Sequence, residues 1–145
     1  MPPAAGFDFP VGLTGAGPIV SVLDPDSNPN TVLDTGLPFY IRVEWSIAGG
    51  VAPLIAGTWY VSAYADSVGP GPEVQVGATM PVPLTGPLNF STTITVPPGA
   101  LPSASGSASS GVYELVTIIT HTNVFGVATE MTGFAEGPLI QMRTP

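Results

Sequence analysis

The stretch DPDSNPN carries a carboxylate or an amide at every second position: Asp24, Asp26, Asn28 and Asn30. This spacing resembles calcium loops, which direct side-chain oxygens at one centre. An EF-hand loop would need Gly at its sixth position and Glu at its twelfth, where this chain has Pro29 and Thr35. Asx and proline turns between two strands are the simpler explanation. We therefore expect no cofactor, with calcium at these four residues as the alternative.

His121 is the only histidine, so a Ser-His-Asp triad would have to use it. No GxSxG elbow is present to supply the serine. His121 shares its parity along a predicted strand with Leu115 and Ile119, which favours a structural histidine near the core. Cysteine is absent, which excludes disulfides, zinc-thiolate sites and thiol nucleophiles.

Carboxylates alone can hydrolyse glycosides, so paired acids were a further candidate. Glu44, Glu114 and Glu130 each fall on the outward side of a predicted strand. With almost no cations to pair with, they are expected to keep the surface soluble. We expect no enzymatic activity, and a small hydrolase that uses carboxylates, or a metal near Asp24, is the second alternative.

The glycine-rich stretch GPGP lies within residues 66–77, and it differs from a phosphate-binding loop. A P-loop follows the pattern GxxxxGK[ST] and precedes a helix. Here there is no Lys, and both Pro70 and Pro72 lack a backbone donor. The stretch predicts a bend between two strands, with Gly69 or Gly71 at positive φ.

The charge composition excludes several classes of partner. The chain has 145 residues, enough for one domain. It has no Lys, and Arg42 and Arg143 stand against ten carboxylates, giving a formal charge of −8. Nucleic-acid binding draws most of its affinity from Lys and Arg, so we expect neither nucleic acid nor an anionic membrane as a partner.

No targeting segment is evident in the sequence. The start, MPPAAGFDFPVGLTG, lacks a basic region followed by a continuous apolar one, and no run of about 18 apolar residues exists. We expect no signal peptide and no membrane insertion. Synthesis in the cytosol, with a final place on a surface or a particle as one option, fits these features, and the compartment stays open.

Short alternating runs between Gly and Pro turns predict strands. Residues 38–47 place large apolar side chains on one face: Phe39, Ile41, Val43, Trp45 and Ile47. Residues 57–66 repeat the pattern with Trp59, Val61, Ala63 and Ala65. Pro81 and Pro83 put residues 73–84 at a sheet edge, whereas residues 112–122 have the apolar content of a central strand. Further strands are predicted at 18–23, 88–97 and 126–142.

These elements predict an all-β fold, an antiparallel sandwich of two sheets with about seven to nine strands. Residues 18–145 form the sandwich. Residues 1–17 form an extended arm rich in Pro and Gly, with Phe7 and Phe9 as its large side chains. No window shows a helical apolar period.

Trp59 in a core strand and Tyr113 at the start of GVYELVTI resemble the core tryptophan and the tyrosine corner of immunoglobulin-like and fibronectin-III-like sandwiches. The resemblance covers about residues 18–142, without the cysteine pair of antibody domains. It implies a fold that mostly serves adhesion, assembly or display.

Tyrosines at outward parities identify the candidate interaction surface. Tyr40, Tyr60 and Tyr64 are of a type that buries large area at interfaces. The mean hydropathy of +0.42 and the apolar arm also favour a chain that buries surface against copies of itself or a scaffold. We expect a non-enzymatic structural or interaction module that self-associates or docks onto a larger assembly, such as a surface fibre, a virus-like particle or an injection device. Phe7 and Phe9 would lie along a neighbour's groove or sheet edge.

The first alternative is a module that binds carbohydrate or another small neutral ligand. Its binding surface would be built from Tyr60, Tyr64 and Trp45, because aromatic rings stack on apolar ligand faces.

Overall fold

The computed structural model describes residues 5–9, 11–71, 73–106 and 108–144. Residues 1–4 and Pro10 of the predicted arm, and Pro72 of the GPGP stretch, lie outside the described residues. The strands in the described ranges are β1 (Ala5–Asp8), β2 (Thr14–Leu23), β3 (Val32–Asp34), β4 (Phe39–Ala48), β5 (Thr58–Ser67), β6 (Glu73–Pro83), β7 (Asn89–Val96), β8 (Val112–Thr122) and β9 (Ala128–Arg143). A 3₁₀ turn, Ala52–Leu54, connects β4 to β5.

The strands form two sheets that enclose one core. The larger sheet has six strands in the order β1-β9-β8-β5-β6, with β3 added beside β9, and the smaller has the order β2-β4-β7. All pairings are antiparallel except the short parallel pairing of β3 with β9. The prediction of an all-β sandwich of two sheets is confirmed.

The alternating patterns place the predicted side chains in the core. All five inward residues of β4, from Phe39 to Ile47, are buried, and so are Trp59, Val61, Ala63 and Ala65 of β5. Period-two alternation has this result because successive side chains of a strand point to opposite faces. One face of each strand is therefore committed to the core, and the other is free for solvent or a partner.

The positions of β6 and β8 also follow from their composition. β8 lies between β9 and β5 in the centre of the six-stranded sheet, and β6 lies at its edge. Pro81 and Pro83 cannot donate to a ladder, so they are tolerated only where one side of the strand is unpaired. The GPGP stretch connects β5 to β6 as a bend, with Gly69 and Gly71 at positive φ.

Aromatic side chains fill the centre of the core. Trp45 stacks on Phe90 at 5.6 Å between ring centroids and meets Trp59 edge-on at 6.0 Å. Tyr113 is fully buried, and its hydroxyl donates to the Pro102 carbonyl at 2.7 Å. These contacts join strands of both sheets, so the aromatic cluster fixes how the sheets face each other.

The N-terminal residues pack on the same chain. β1 pairs with residues 132–135 of β9, and β2 begins at Thr14, so it crosses the predicted boundary between residues 17 and 18. Phe7 lies over Gly133 and Phe9 over Gly15, where a Cβ atom would come within 2.5 Å and 2.1 Å of the respective ring. The two phenylalanine rings stack on each other at 5.0 Å.

No helix in the described ranges is long and apolar enough to cross a membrane.

Candidate functional site

The Asp/Asn loop is a set of turns. One carboxylate oxygen of Asp24 accepts the backbone N–H groups of Asp26 and Asn28, both at 3.0 Å, and the Asn30 side chain accepts Val32 N–H at 3.0 Å. Among the residues that the structure describes, no group of three or more His, Asp or Glu could hold a metal ion. The turn interpretation accounts for these contacts, and calcium binding stays an untested alternative.

His121 is buried, as its parity predicts. Its Nε2 lies 2.9 Å from the Ala56 carbonyl and its Nδ1 lies 2.9 Å from the Thr129 hydroxyl. A carbonyl only accepts, so Nε2 carries the proton and the neutral ring accepts from Thr129. Burial lowers the pKa of His121, and the bond to Ala56 opposes that shift. The histidine therefore ties the β4–β5 loop to β8.

The candidate catalytic carboxylates lie apart. Glu44 is on the outer face of the three-stranded sheet, where it forms an exposed ion pair with Arg42 at 3.3 Å. Glu114 and Glu130 are on the six-stranded sheet, near opposite ends of the β8–β9 pairing. Two carboxyl groups must face one bond to hydrolyse a glycoside, and this arrangement does not bring these three together.

The predicted interaction residues fall into three places. Tyr60 and Tyr64 lie on the outer face of the six-stranded sheet, whereas Tyr40 lies on the outer face of the three-stranded sheet. Phe7 and Phe9 pack against the chain's own core. Their contact with a neighbouring molecule stays a prediction, and the surface proposed below does not use it.

Trp45 was placed with the surface tyrosines in the carbohydrate alternative, and that placement is wrong. The indole is buried between the sheets, because its position in β4 has inward parity.

Apolar and aromatic side chains cover the middle of the six-stranded sheet's outer face. Ile118 lies opposite Ser62 on one side and Phe134 on the other, and Val116 lies opposite Tyr64. The Phe134 ring extends over Gly6 at 3.4 Å from where a Cβ atom would stand. We call the set Tyr60, Tyr64, Val116, Ile118 and Phe134 the sheet patch. Exposed contiguous apolar surface of this kind marks interaction sites.

Carboxylates surround the sheet patch. Six of the chain's ten carboxylates lie on this face at its ends and edges: Asp8, Asp66, Glu73, Glu114, Glu130 and Glu136. Glu73, Asp66 and Glu114 lie directly opposite one another across three strands. Like charges in opposed positions of a sheet destabilise it. The rim therefore has a net negative charge, because the cation of this sheet, Arg143, lies at its end opposite a further carboxylate, Asp34.

The outer face of the three-stranded sheet is different in character. Its central row runs from Ser21 through Arg42 to Thr93, and the next row contains Glu44 and Ser91. Hydroxyl groups and one ion pair make the middle of this face a solvated surface, and its apolar side chains lie toward the margins, at Ile19 and at the opposed pair Leu23 and Tyr40. The two outer faces of the sandwich thus have opposite polarity patterns.

The sequence prediction missed the sheet patch in part. Val116 and Ile118 belong to β8, whose near-continuous apolar run indicates a strand buried on both faces. The missed signal was their shared parity, opposite to that of Tyr113 and Leu115. A strand with one solvent-facing side normally carries polar residues on that side. In β8, two β-branched aliphatic side chains occupy it instead.

Comparisons with known proteins found neither a family nor a curated relative: no protein-family model matches the chain, and no curated protein matches it. Among solved structures, it is similar to the crystal structure of β-glucosidase from Listeria innocua in complex with isofagomine, with a TM-score of 0.41 and 11% identity. The match covers 95% of this chain and 16% of that one. Similarity this weak supports no functional argument.

Proposed function

We propose that this protein is a non-enzymatic structural or interaction module that self-associates or docks onto a larger assembly. The surface it buries is the sheet patch, the uncharged centre of the six-stranded sheet's outer face. The proposal rests on one observation: the two outer faces of the sandwich differ, since the larger sheet exposes aliphatic and aromatic side chains at its centre, whereas the centre of the smaller sheet's outer face is polar.

The side chains of the sheet patch suit an interface. Ile118 and Phe134 are 39% and 44% exposed, and Tyr60 and Tyr64 are partly buried by their strand neighbours. Large side chains that are already held by neighbours lose little conformational entropy on binding. Aromatic residues in a central position, with polar residues around them, have the arrangement of an interface core and its rim.

The rim indicates the charge of the docking partner. Six carboxylates around the sheet patch would face each other if two copies met through this face, which makes that contact unfavourable. A partner with Lys or Arg around an apolar centre would instead neutralise the opposed row formed by Glu73, Asp66 and Glu114. We therefore favour a basic protein surface of an assembly as the occupant of the sheet patch.

The immunoglobulin-like and fibronectin-III-like character remains part of the proposal. The fully buried Trp59 and the bond from the Tyr113 hydroxyl to the Pro102 carbonyl support it. Fold alone is a weak guide to function, so this similarity adds only that such sandwiches often serve adhesion and assembly.

Carbohydrate binding is the second candidate, and the spacing of two tyrosines favours it. Tyr60 and Tyr64 point outward from the same strand, four residues apart, at a separation of about 13 Å. Two rings in line on a flat face could stack on two non-adjacent sugar units of one oligosaccharide. A titration with soluble glycans, and its loss in Tyr64→Ala, would distinguish this function from protein docking.

Site-specific photo-crosslinking tests the docking function. Benzoylphenylalanine replaces Ile118 in the sheet patch or, as a matched control, Thr93 on the opposite outer face. Irradiation in an extract of the producing cells should give an adduct of defined mass from position 118 and none from position 93. Its yield should fall as salt rises from about 0.05 M to about 0.5 M, because salt screens the acidic rim. Equal crosslinking from both positions, or none from position 118, would refute the proposal.

A further inference from the structure

One end of the sandwich is built from connections that carry no charge. Three connections meet there: residues 11–13, residues 49–57 and residues 123–127, and none of them contains Asp, Glu, Lys or Arg. Their exposed apolar side chains are Val11, Val51, Leu54, Val124, Phe125 and Val127. We call this surface the uncharged end. Phe125 is 86% exposed and Leu54 is 79% exposed, the most accessible large apolar side chains after Val11 in the described residues.

Close backbone contacts hold these connections in place. A Cβ atom on Gly49 would stand 2.3 Å from the Gly12 carbonyl oxygen, and one on Gly57 would stand 2.0 Å from that of Thr122. Only glycine permits such approaches, and both residues also have positive φ. Together with the bond from His121 to the Ala56 carbonyl, they fix the three connections to one another.

Phe125 stands on an ordered turn. The Asn123 side chain accepts the backbone N–H groups of Phe125 at 2.9 Å and Val127 at 3.1 Å. The backbone N–H groups of Asn123 and Gly126 close the same turn through bonds to Val127 and Asn123 carbonyls. The backbone that carries the exposed ring is therefore pre-organised, which lowers the entropy cost of burying Phe125 in a partner.

An apolar cavity opens beside this turn. Its volume is about 370 Å³, and Leu13, Ile55, Val124 and Met131 supply most of its apolar lining. The polar groups of His121 at its wall are already bonded within the chain. Glu130 is the one carboxylate that lines the cavity, and this residue is exposed. The cavity is thus suited to an aromatic or aliphatic side chain rather than to a polar ligand.

We propose that the uncharged end joins two copies of this chain, with Phe125 of each copy inserted into the cavity of the other. An exposed ring and a cavity that can receive it lie on the same patch, so one two-fold contact fills both cavities at once. Such a self-complementary patch is the condition for an isologous dimer. The inference rests on the proposed function only in treating the chain as an interaction module, and it uses a different surface.

The charge distribution favours a second copy of this chain as the partner at the uncharged end. Each chain has a formal charge of −8, so two chains repel through most orientations. At the uncharged end the cavity is lined by a single carboxylate, Glu130, so two chains can approach there without opposing rows of carboxylates. It also lacks the Lys and Arg that would attract an anionic lipid surface. The sheet patch, with its acidic rim, and the uncharged end thus take different partners.

Sedimentation velocity of the full chain, at concentrations up to about 100 µM, tests the dimer. The wild type should form a dimer that strengthens with added salt, because salt screens the repulsion between the two chains. Phe125→Ser should weaken dimerisation at least about thirty-fold, as expected for a central aromatic anchor. Ile19→Ser removes an exposed aliphatic side chain from the three-stranded sheet, and this variant should leave the affinity of the dimer unchanged.

Crosslinking provides a readout that does not depend on affinity. The chain has no cysteine, so Val124→Cys and Ile19→Cys each carry a single thiol. A short bifunctional maleimide should join two copies of Val124→Cys and should not join copies of Ile19→Cys. Ile55→Ala in the cavity should weaken the dimer, and its effect should shrink in the Phe125→Ser background because the two side chains interact.

The outcomes separate this inference from the proposed docking function. A monomer at all concentrations overturns the dimer, whatever Ile118 crosslinks to. A dimer that survives Phe125→Ser but is lost in Ile118→Ser also overturns it, and assigns self-association to the sheet patch. Binding of the wild-type monomer to phosphatidylcholine vesicles, abolished in Phe125→Ser, would overturn it in favour of a lipid surface.

Discussion

Replacing Gly133 by Ala should detach the Phe7 ring from the sheet. The new Cβ atom would stand 2.5 Å from Cε1 and 2.6 Å from Cζ of Phe7, well inside ordinary carbon contact distances. The backbone of Gly133 has no positive φ, so the substitution adds no backbone strain. The effect would therefore arise from this steric contact alone.

The cost follows from the neighbours of the ring. Phe7 stacks on Phe9 at 5.0 Å and meets Trp59 edge-on at 6.1 Å, so it cannot shift without breaking an aromatic contact. Overpacking of this kind costs about 1–3 kcal/mol, and releasing the ring to solvent would cost a similar amount. For a domain of this length we expect the melting temperature to fall by about 3–9 °C.

Thermal and urea denaturation of the Gly133→Ala variant measure this loss. Gly50→Ala is the matched control, because Gly50 has no positive φ and nothing lies within 4 Å of its Cβ position. It should be neutral or slightly stabilising. In the Phe7→Ala background, Gly133→Ala should lower the free energy of unfolding only slightly, because the ring that clashes with the new Cβ atom is absent. An equal cost in both backgrounds would show that the ring does not lie over Gly133.

Three further predictions concern other contacts. Tyr113→Phe should destabilise the fold by about 1–2 kcal/mol in urea denaturation, because it removes the bond to the Pro102 carbonyl, while Tyr60→Phe on the surface should have little effect. Burial lowers the pKa of His121, so the unfolded chain binds the proton more readily; stability should be full above about pH 6.5 and fall as the pH drops toward the folded-state pKa. An equal slope in His121→Asn between about pH 5.5 and 7.5 would contradict this cause. Calcium and chelator should leave the melting temperature unchanged, because Asp24 caps backbone N–H groups; a rise with calcium that Asp24→Asn abolishes would instead reveal a metal site.

Period-two alternation made the core predictable. In β4 and β5 it identified every inward side chain, since burial on one face requires that pattern. Pro81 and Pro83 likewise identified the edge position of β6, because they lack the donor that a central strand needs.

Short and glycine-containing strands escaped prediction. β3 has three residues and pairs in parallel with the distant β9, so no local pattern encodes it. The sequence predicts an arm at β1 and the start of β2, because Gly6, Gly15 and Gly17 interrupt the period-two apolar pattern of a strand. Their strand conformation depends on Phe7 and Phe9, which cover glycines elsewhere in the chain.

The candidate surfaces were predictable only residue by residue. Outward parity singled out Tyr60 and Tyr64, but their union with Ile118 and Phe134 depends on the register between β5, β8 and β9. The sequence alone could not predict the uncharged end, because this surface also depends on contacts between distant segments. Its three connections are far apart in sequence and are brought together by backbone contacts at Gly49 and Gly57.

The pairing of residues 5–8 with residues 132–135 has a consequence for biosynthesis. During synthesis Phe7 cannot pack over Gly133 until β9 has left the ribosome, so its ring lacks this contact while the intervening residues are made. An aromatic ring without its contact is a target for ribosome-associated chaperones, and ribosomes stalled before residue 132 should display Phe7.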